Sequence, residues 1–185
     1  MSIQLLQQVQ ANLGYLPLQK IGPNLQDVPP STPDEHRMAQ AVVSSSLIAL
    51  YQFLTKDEGA SAALGENNST DWVSRVWGDR ENEAVKRVAA YAGYDTGMTR
   101  RHMNDVMTEA IRLIRQQVPA STKDPVKAVE LLLSAERSDL LPYLPASLNM
   151  GELLGDTTLD DKTNKMEGPI SSLMHSIESG FSTPK

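Results

Sequence analysis

Two runs of apolar residues at helical spacing dominate the middle of the chain. Ala84, Val85, Val88, Ala89 and Ala92 make one stripe; Met103, Val106, Met107, Ala110 and Ile114 make the other. Gly93 and Gly97 fall between them, so the pattern predicts a helical hairpin over 80–117 with a tight corner. Such a pair cannot bury both stripes by itself, and the flanking segments have to complete the core.

Upstream, Thr32-Pro33-Asp34-Glu35 combines an N-cap threonine, a first-turn proline and acids suited to the positive end of a helix dipole. The helix it starts is predicted over 33–55. Met38, Val42, Ala49 and Phe53 lie on one side of it, Val43, Leu47, Leu50 and Leu54 on another. A helix apolar over most of its circumference belongs in the middle of the fold. Ser44-Ser45-Ser46 inside it permits close helix approach, and no histidine lies nearby in sequence to make one of them a nucleophile.

The remaining elements are shorter. Leu5, Leu6, Val9 and Leu13 predict a first helix capped by Ser2 and closed by Gly14. Residues 15–32 hold Pro17, Pro23, Pro29 and Pro30 among Leu16, Leu18, Ile21, Leu25 and Val28, and read as a proline-rich strap laid across the surface. Residues 57–68 read as a small-residue connector with one helical turn from Ala60 to Leu64. Trp72, Val73, Val76 and Trp77 belong to a short helix capped by Ser69 or Thr70, its indoles sealing a core. Asp124-Pro125 starts another helix, with a turn expected between Ser134 and Leu144 and a last short helix over 146–154. Residues 156–168 read as an acidic linker, and 169–181 as a C-terminal amphipathic helix docked on the rest. The expected fold is an all-α bundle of about six to eight helices, one domain over 1–155.

Composition narrows the function classes. A chain of 185 residues with 40% apolar and 22% charged content is ample for one core. A net charge of -6 disfavours broad capture of nucleic acid or anionic lipid, and the slight basic excess lies over 71–118. The lack of cysteine removes disulfides, thiolate metal sites and thiol nucleophiles. Neither a signal-peptide pattern nor a run near the ~18 apolar residues of a membrane span is present, so a cytoplasmic protein with no membrane span is expected.

Candidate chemistry is sparse. His36, His102 and His175 fit no metal-binding spacing. His102, Asp105 and Glu109 share a helix face, read as solvated, with an Arg101–Asp105 pair across one turn. Asp156, Asp160 and Asp161 lack the glycine and closing glutamate of a calcium loop. With no phosphate cradle and no nucleophile–base pairing, the expectation is a non-enzyme with no catalytic residue, metal or cofactor.

Two resemblances attach to the hairpin. Residues 88–104, VAAYAGYDTGMTRRHMN, have alanines at the crossing, a glycine in the turn and a downstream arginine and asparagine. They resemble the helix-turn-helix of the lac-repressor family, which implies Thr99, Arg100, Arg101 and Asn104 as phosphate and base contacts. The run from Gly78 to Ile114, with Ala63-Leu64-Gly65 upstream and LLPYLPASLNMGELLG downstream, is similar to the YidB-like family of small all-helical bacterial proteins. That similarity covers about 46–155; it implies a helical bundle and carries over no functional residue. The expectation placed first is a non-catalytic interaction or scaffold module for a protein partner or a second copy. Met98, Met103, Met107, Met166 and Met174 would supply adaptable contacts. DNA binding through 88–104 is the alternative, and a small-ligand binder or an enzyme with a dispersed site comes third.

Overall fold

The computed structural model describes residues 4–22, 27–65, 70–119 and 121–155, without the side chains of Ala135, Arg137 and Ser138. The expected Ser2 cap, the 156–168 linker, the 169–181 helix and Met166 and Met174 lie outside these residues. Within them the protein is an all-α bundle. Its helices are α1 (Leu5–Leu13), α2 (Asp34–Leu54), α3 (Asp57–Gly65), α4 (Trp72–Trp77), α5 (Glu81–Ala92), α6 (Thr96–Gln117), α7 (Pro125–Leu140) and α8 (Met150–Leu154). Single 3-10 turns at Gly78–Arg80, Leu141–Tyr143 and Ala146–Leu148 join some of them.

The apolar stripes dictate the arrangement. Every residue of α2 from Met38 to Tyr51 is buried, and the helix packs chiefly on α5 and α6 with α3, α4, α7, α1 and α8 around it. The hairpin stripes are buried in full and face this central rod. Gly93, at φ 75°, closes α5 in the left-handed conformation that a side chain would resist. Asp95 then caps α6 by accepting from the Met98 amide at 2.8 Å. Trp72 and Trp77 are both buried in the core, as the sealing role requires. Inside α2, the Ser44 and Ser45 hydroxyls donate to the carbonyls of Gln40 and Ala41 one turn back, which removes them as nucleophiles and lets neighbours pack closely.

Several local expectations shift. Pro33, with extended backbone, takes the N-cap position of α2, and Thr32 makes no side-chain cap bond. The connector after α2 is a full nine-residue helix, because Ala60 and Ala63 are buried and turn a small-residue run into a packed face. Asp71 caps α4, accepting from the Ser74 amide at 3.2 Å. A carboxylate one residue nearer the helix displaces the Thr70 alternative, and Ser69 lies outside the described residues. The turn expected between Ser134 and Leu144 comes late in that span, as the 3-10 turn Leu141–Tyr143, because Leu133, Glu136 and Leu140 keep α7 in buried register through Ser134. Asn149, at φ 46°, splits the last predicted helix into a 3-10 turn and α8. Met103 and Met107 are fully buried and serve the core, leaving Met98 as the exposed methionine of that helix.

α1 and the strap are fastened to the body largely by polar groups. Leu5 and Val9 anchor α1 in the core. Its first amides point at a distant carboxylate: Gln4 N–H and Leu5 N–H donate to the two oxygens of Glu136, each at 3.1 Å. A buried acid from α7 thereby satisfies amides that a helix start leaves without partners. Along the strap, the Gln40 side chain accepts from the Gln19 amide at 2.9 Å and donates to the carbonyls of Gln19 and Tyr143. Ile21 N–H adds a bond to the Pro142 carbonyl at 2.8 Å.

Candidate functional site

The four helix-turn-helix candidates occupy three different environments. Thr99 is buried, and its hydroxyl donates to the Asp95 carbonyl at 2.8 Å. Asn104 accepts from the Trp72 amide at 2.9 Å and ties α6 to the start of α4. Arg100 pairs with Glu81 and Asp71, both at 2.6 Å, and reaches the Ser74 hydroxyl at 3.1 Å. Arg101 alone of the four is exposed on α6. Burial pushes the Asp71 carboxyl up, but the Arg100 hydrogen bond and the amides of Ser74 and Val73 outweigh it and hold the group below its ordinary range. α6 runs unbroken from Thr96 to Gln117, so the corner is a plain helical hairpin joined to α4 by an arginine clamp.

On the next face of α6 the expected Arg101–Asp105 pair does not form among the described residues. Tyr15 and His102 lie there in its place, with the phenol oxygen 2.7 Å from Nδ1 and the rings edge-on at 5.9 Å. One turn on, Asn12 donates to Glu109 at 2.6 Å, and Arg112 forks onto the same carboxylate at 2.6 and 2.7 Å. These bonds, the Arg112 contact first, hold the Glu109 carboxyl below its ordinary value. The linkage sign follows: a depressed folded pKa contributes stability that is present above the unfolded value and lost as pH falls through the folded one. Acid titration of Glu109→Gln against the unaltered protein should therefore show a stability gap of at most about 1 kcal/mol near neutral pH that closes on acidification.

A cleft of about 350 Å³ lies between α1, the strap, α2 and the end of α7. Its lining includes Tyr51 of α2, Glu136 and Asp139 of α7, Tyr143 and Lys20. Lys20 Nζ stands 5.9 Å above the centre of the Tyr143 ring, an internal cation–π contact. Tyr51 is 2% exposed. Burial first, and then the charges of Glu136 and Asp139, push the phenol far up, so it stays a proton donor. A second, smaller opening of about 140 Å³ lies between α2, α4 and α8 beside Trp77 and Arg80. No three His, Asp or Glu side chains gather in the manner of metal ligands among the described residues.

Sequence reading did not single out the residues of the main cleft, although two left a trace. Glu136 falls in register with Val129, Leu133 and Leu140 on the buried stripe of α7, where a carboxylate needs a partner. Gln40 is a lone amide in the apolar run of α2. No single helix among the described residues is long and apolar enough to cross a membrane. No protein-family model matches the chain, and neither does any curated protein or solved structure.

Proposed function

We propose that the protein is a non-catalytic helical interaction module whose contact face is the seam where α1 and the start of the strap lie on α6. The observation that carries this reading is the placement of exposed apolar side chains. Among the described residues Leu13, Leu16, Met98 and Leu131 are the large hydrophobics left exposed, and the first three lie within four residues of Tyr15 or His102 in sequence. Leu13 ends α1, Leu16 follows Tyr15, and Met98 stands one turn before His102 on α6. A methionine and leucines beside half-buried aromatic rings are the composition of an adaptable protein-binding patch. The partner is another protein or a second copy of this chain. DNA binding is the weaker alternative: of its four candidates, Arg101 alone offers an exposed charge with no acid paired to it among the described residues, on a chain of net charge -6.

The test is the double variant Leu16→Asp, Met98→Lys, which alters the seam without touching the core. Sedimentation at micromolar concentration and affinity capture from the source cells should show an assembly with the unaltered chain that the variant loses. A strictly monomeric protein that captures nothing would remove the reading. Retention on heparin at low salt, abolished by Arg101→Ala, would put the DNA alternative in its place.

A further inference from the structure

The small opening between α2, α4 and α8 carries an inference independent of the seam. Two residues that line it each hold a buried polar atom with no hydrogen-bond partner: the indole Nε1 of Trp77, a donor, and the side-chain Oε1 of Gln52, an acceptor. Trp77 is 5% exposed and ends α4, while Gln52 is half-buried in the last turn of α2. Buried polar groups are nearly always paired, so an unpaired donor and an unpaired acceptor at one opening define what a ligand would have to offer there. The Gln52 amide is held in this orientation. Its nitrogen donates to the Leu154 carbonyl at 3.3 Å, and turning it over would set two oxygens against each other. A carboxylate would satisfy the indole and leave the amide oxygen bare; an ammonium would do the reverse. A neutral group that both accepts and donates satisfies the two together. Ala49, Phe53, Val76, Leu153 and Leu154 line the same opening and suit a short alkyl stem. At about 140 Å³ it equals about four to five waters' share of liquid volume, the size of one compact organic molecule.

We propose that this opening binds a compact neutral molecule, a primary carboxamide or an alcohol, whose polar end accepts from Trp77 Nε1–H and donates to Gln52 Oε1. The carboxamide does this with two atoms, its oxygen and its amide nitrogen; the alcohol does it with one hydroxyl. Lys56 and Arg80 line the opening as well, so an anion is the rival ligand that the test has to include. Arg80 Nη1 already donates to the Leu153 carbonyl at 2.5 Å.

The indole N–H cross-peak of Trp77 in a proton–nitrogen NMR spectrum of the full chain reads the contact directly. Its loss in Trp77→Phe assigns it, and the peak of Trp72, which does not line the opening, is the internal reference. Propionamide and 1-propanol are titrated against two controls: N,N-dimethylformamide, an isomer of propionamide with no N–H, and propionate. A saturable downfield shift of the Trp77 peak is expected with at least one of the first two, half complete at about 1–10 mM, while the Trp72 peak stays in place. The tighter of the two identifies the carboxamide or the hydroxyl as the preferred group. Gln52→Met keeps the side-chain length without the acceptor and should weaken binding about fivefold. An unmoved Trp72 peak shows that this variant is folded, and the ligand series decides without it if it is not. Silence from propionamide and 1-propanol up to about 100 mM would overturn the proposal, leaving an ordered water only or the two side chains paired with each other. Binding of N,N-dimethylformamide or propionate as tight as that of propionamide and 1-propanol, or an affinity unchanged in folded Gln52→Met, would overturn it equally.

Discussion

Replacing Gly59 by alanine should destabilise the protein by about 2 kcal/mol, although alanine is the better helix former. Propensity favours the substitution by about 1 kcal/mol in a helix interior. Packing opposes it more strongly. A Cβ at Gly59 would stand 2.0 Å from the Phe53 carbonyl oxygen and 2.8 Å from its carbon, both backbone atoms that a rotamer change cannot move. α2 ends at Leu54, and α3 turns back at 109° from it, so the first turn of α3 is pressed against the last turn of α2. Relieving the contact means sliding one helix off the other, and overpacking of this kind costs about 1–3 kcal/mol before any lost burial of Ala60 and Ala63. Denaturant melts measure the outcome. Gly65→Ala supplies the internal comparison, because a Cβ there meets no atom within 4 Å and should be neutral or slightly stabilising. A neutral Gly59→Ala would show that the two helices are not in contact as described.

The second large effect is expected at Gln40. Its amide makes three bonds to the strap and to Tyr143, and it is 2% exposed. Gln40→Ala removes all three and leaves a backbone donor and two carbonyls without their partner, at a cost of about 2–3 kcal/mol with each bond near 1 kcal/mol. Gln40→Glu should be worse, since it keeps an acceptor for the Gln19 amide but sets a carboxylate against the Gln19 and Tyr143 carbonyls. The damage should be local. Hydrogen exchange at the Gln19 amide should rise by orders of magnitude while amides of α5 and α6 stay protected. The Ile21–Pro142 bond remains as a second fastening, so the strap loosens and α1 stays anchored by Leu5 and Val9. Uniform loss of protection across the bundle would instead make Gln40 part of the global folding unit.

Parts of the site were open to sequence reading only in form. A threonine, two arginines and an asparagine in helical register do lie on one helix, yet three of them are occupied inside the protein: Thr99 by Asp95, Arg100 by Asp71 and Glu81, and Asn104 by the Trp72 amide. Asp95 is four residues from Thr99, but the partners of Arg100 and Asn104 are 19 to 32 residues away, at α4 and α5, and no local pattern announces them. The cleft was less legible still. Glu136 meets the start of α1 across 132 residues, and Tyr51 reads as one more apolar position of a buried helix until the end of α7 is placed beside it.

What the sequence determined by itself is the main helices and their buried faces. Apolar spacing and a glycine able to take positive φ act within a few residues, so α2, the hairpin of α5 and α6 and the paired tryptophans follow from local chemistry. Tertiary structure alone decided which polar groups meet. The Glu136 carboxylate on the amides of α1, the Gln40 clasp on the strap and the acid-walled cleft over Tyr51 all join residues far apart in the chain. Their energies depend on burial and on distances of a few ångströms, quantities that exist only once the helices have packed.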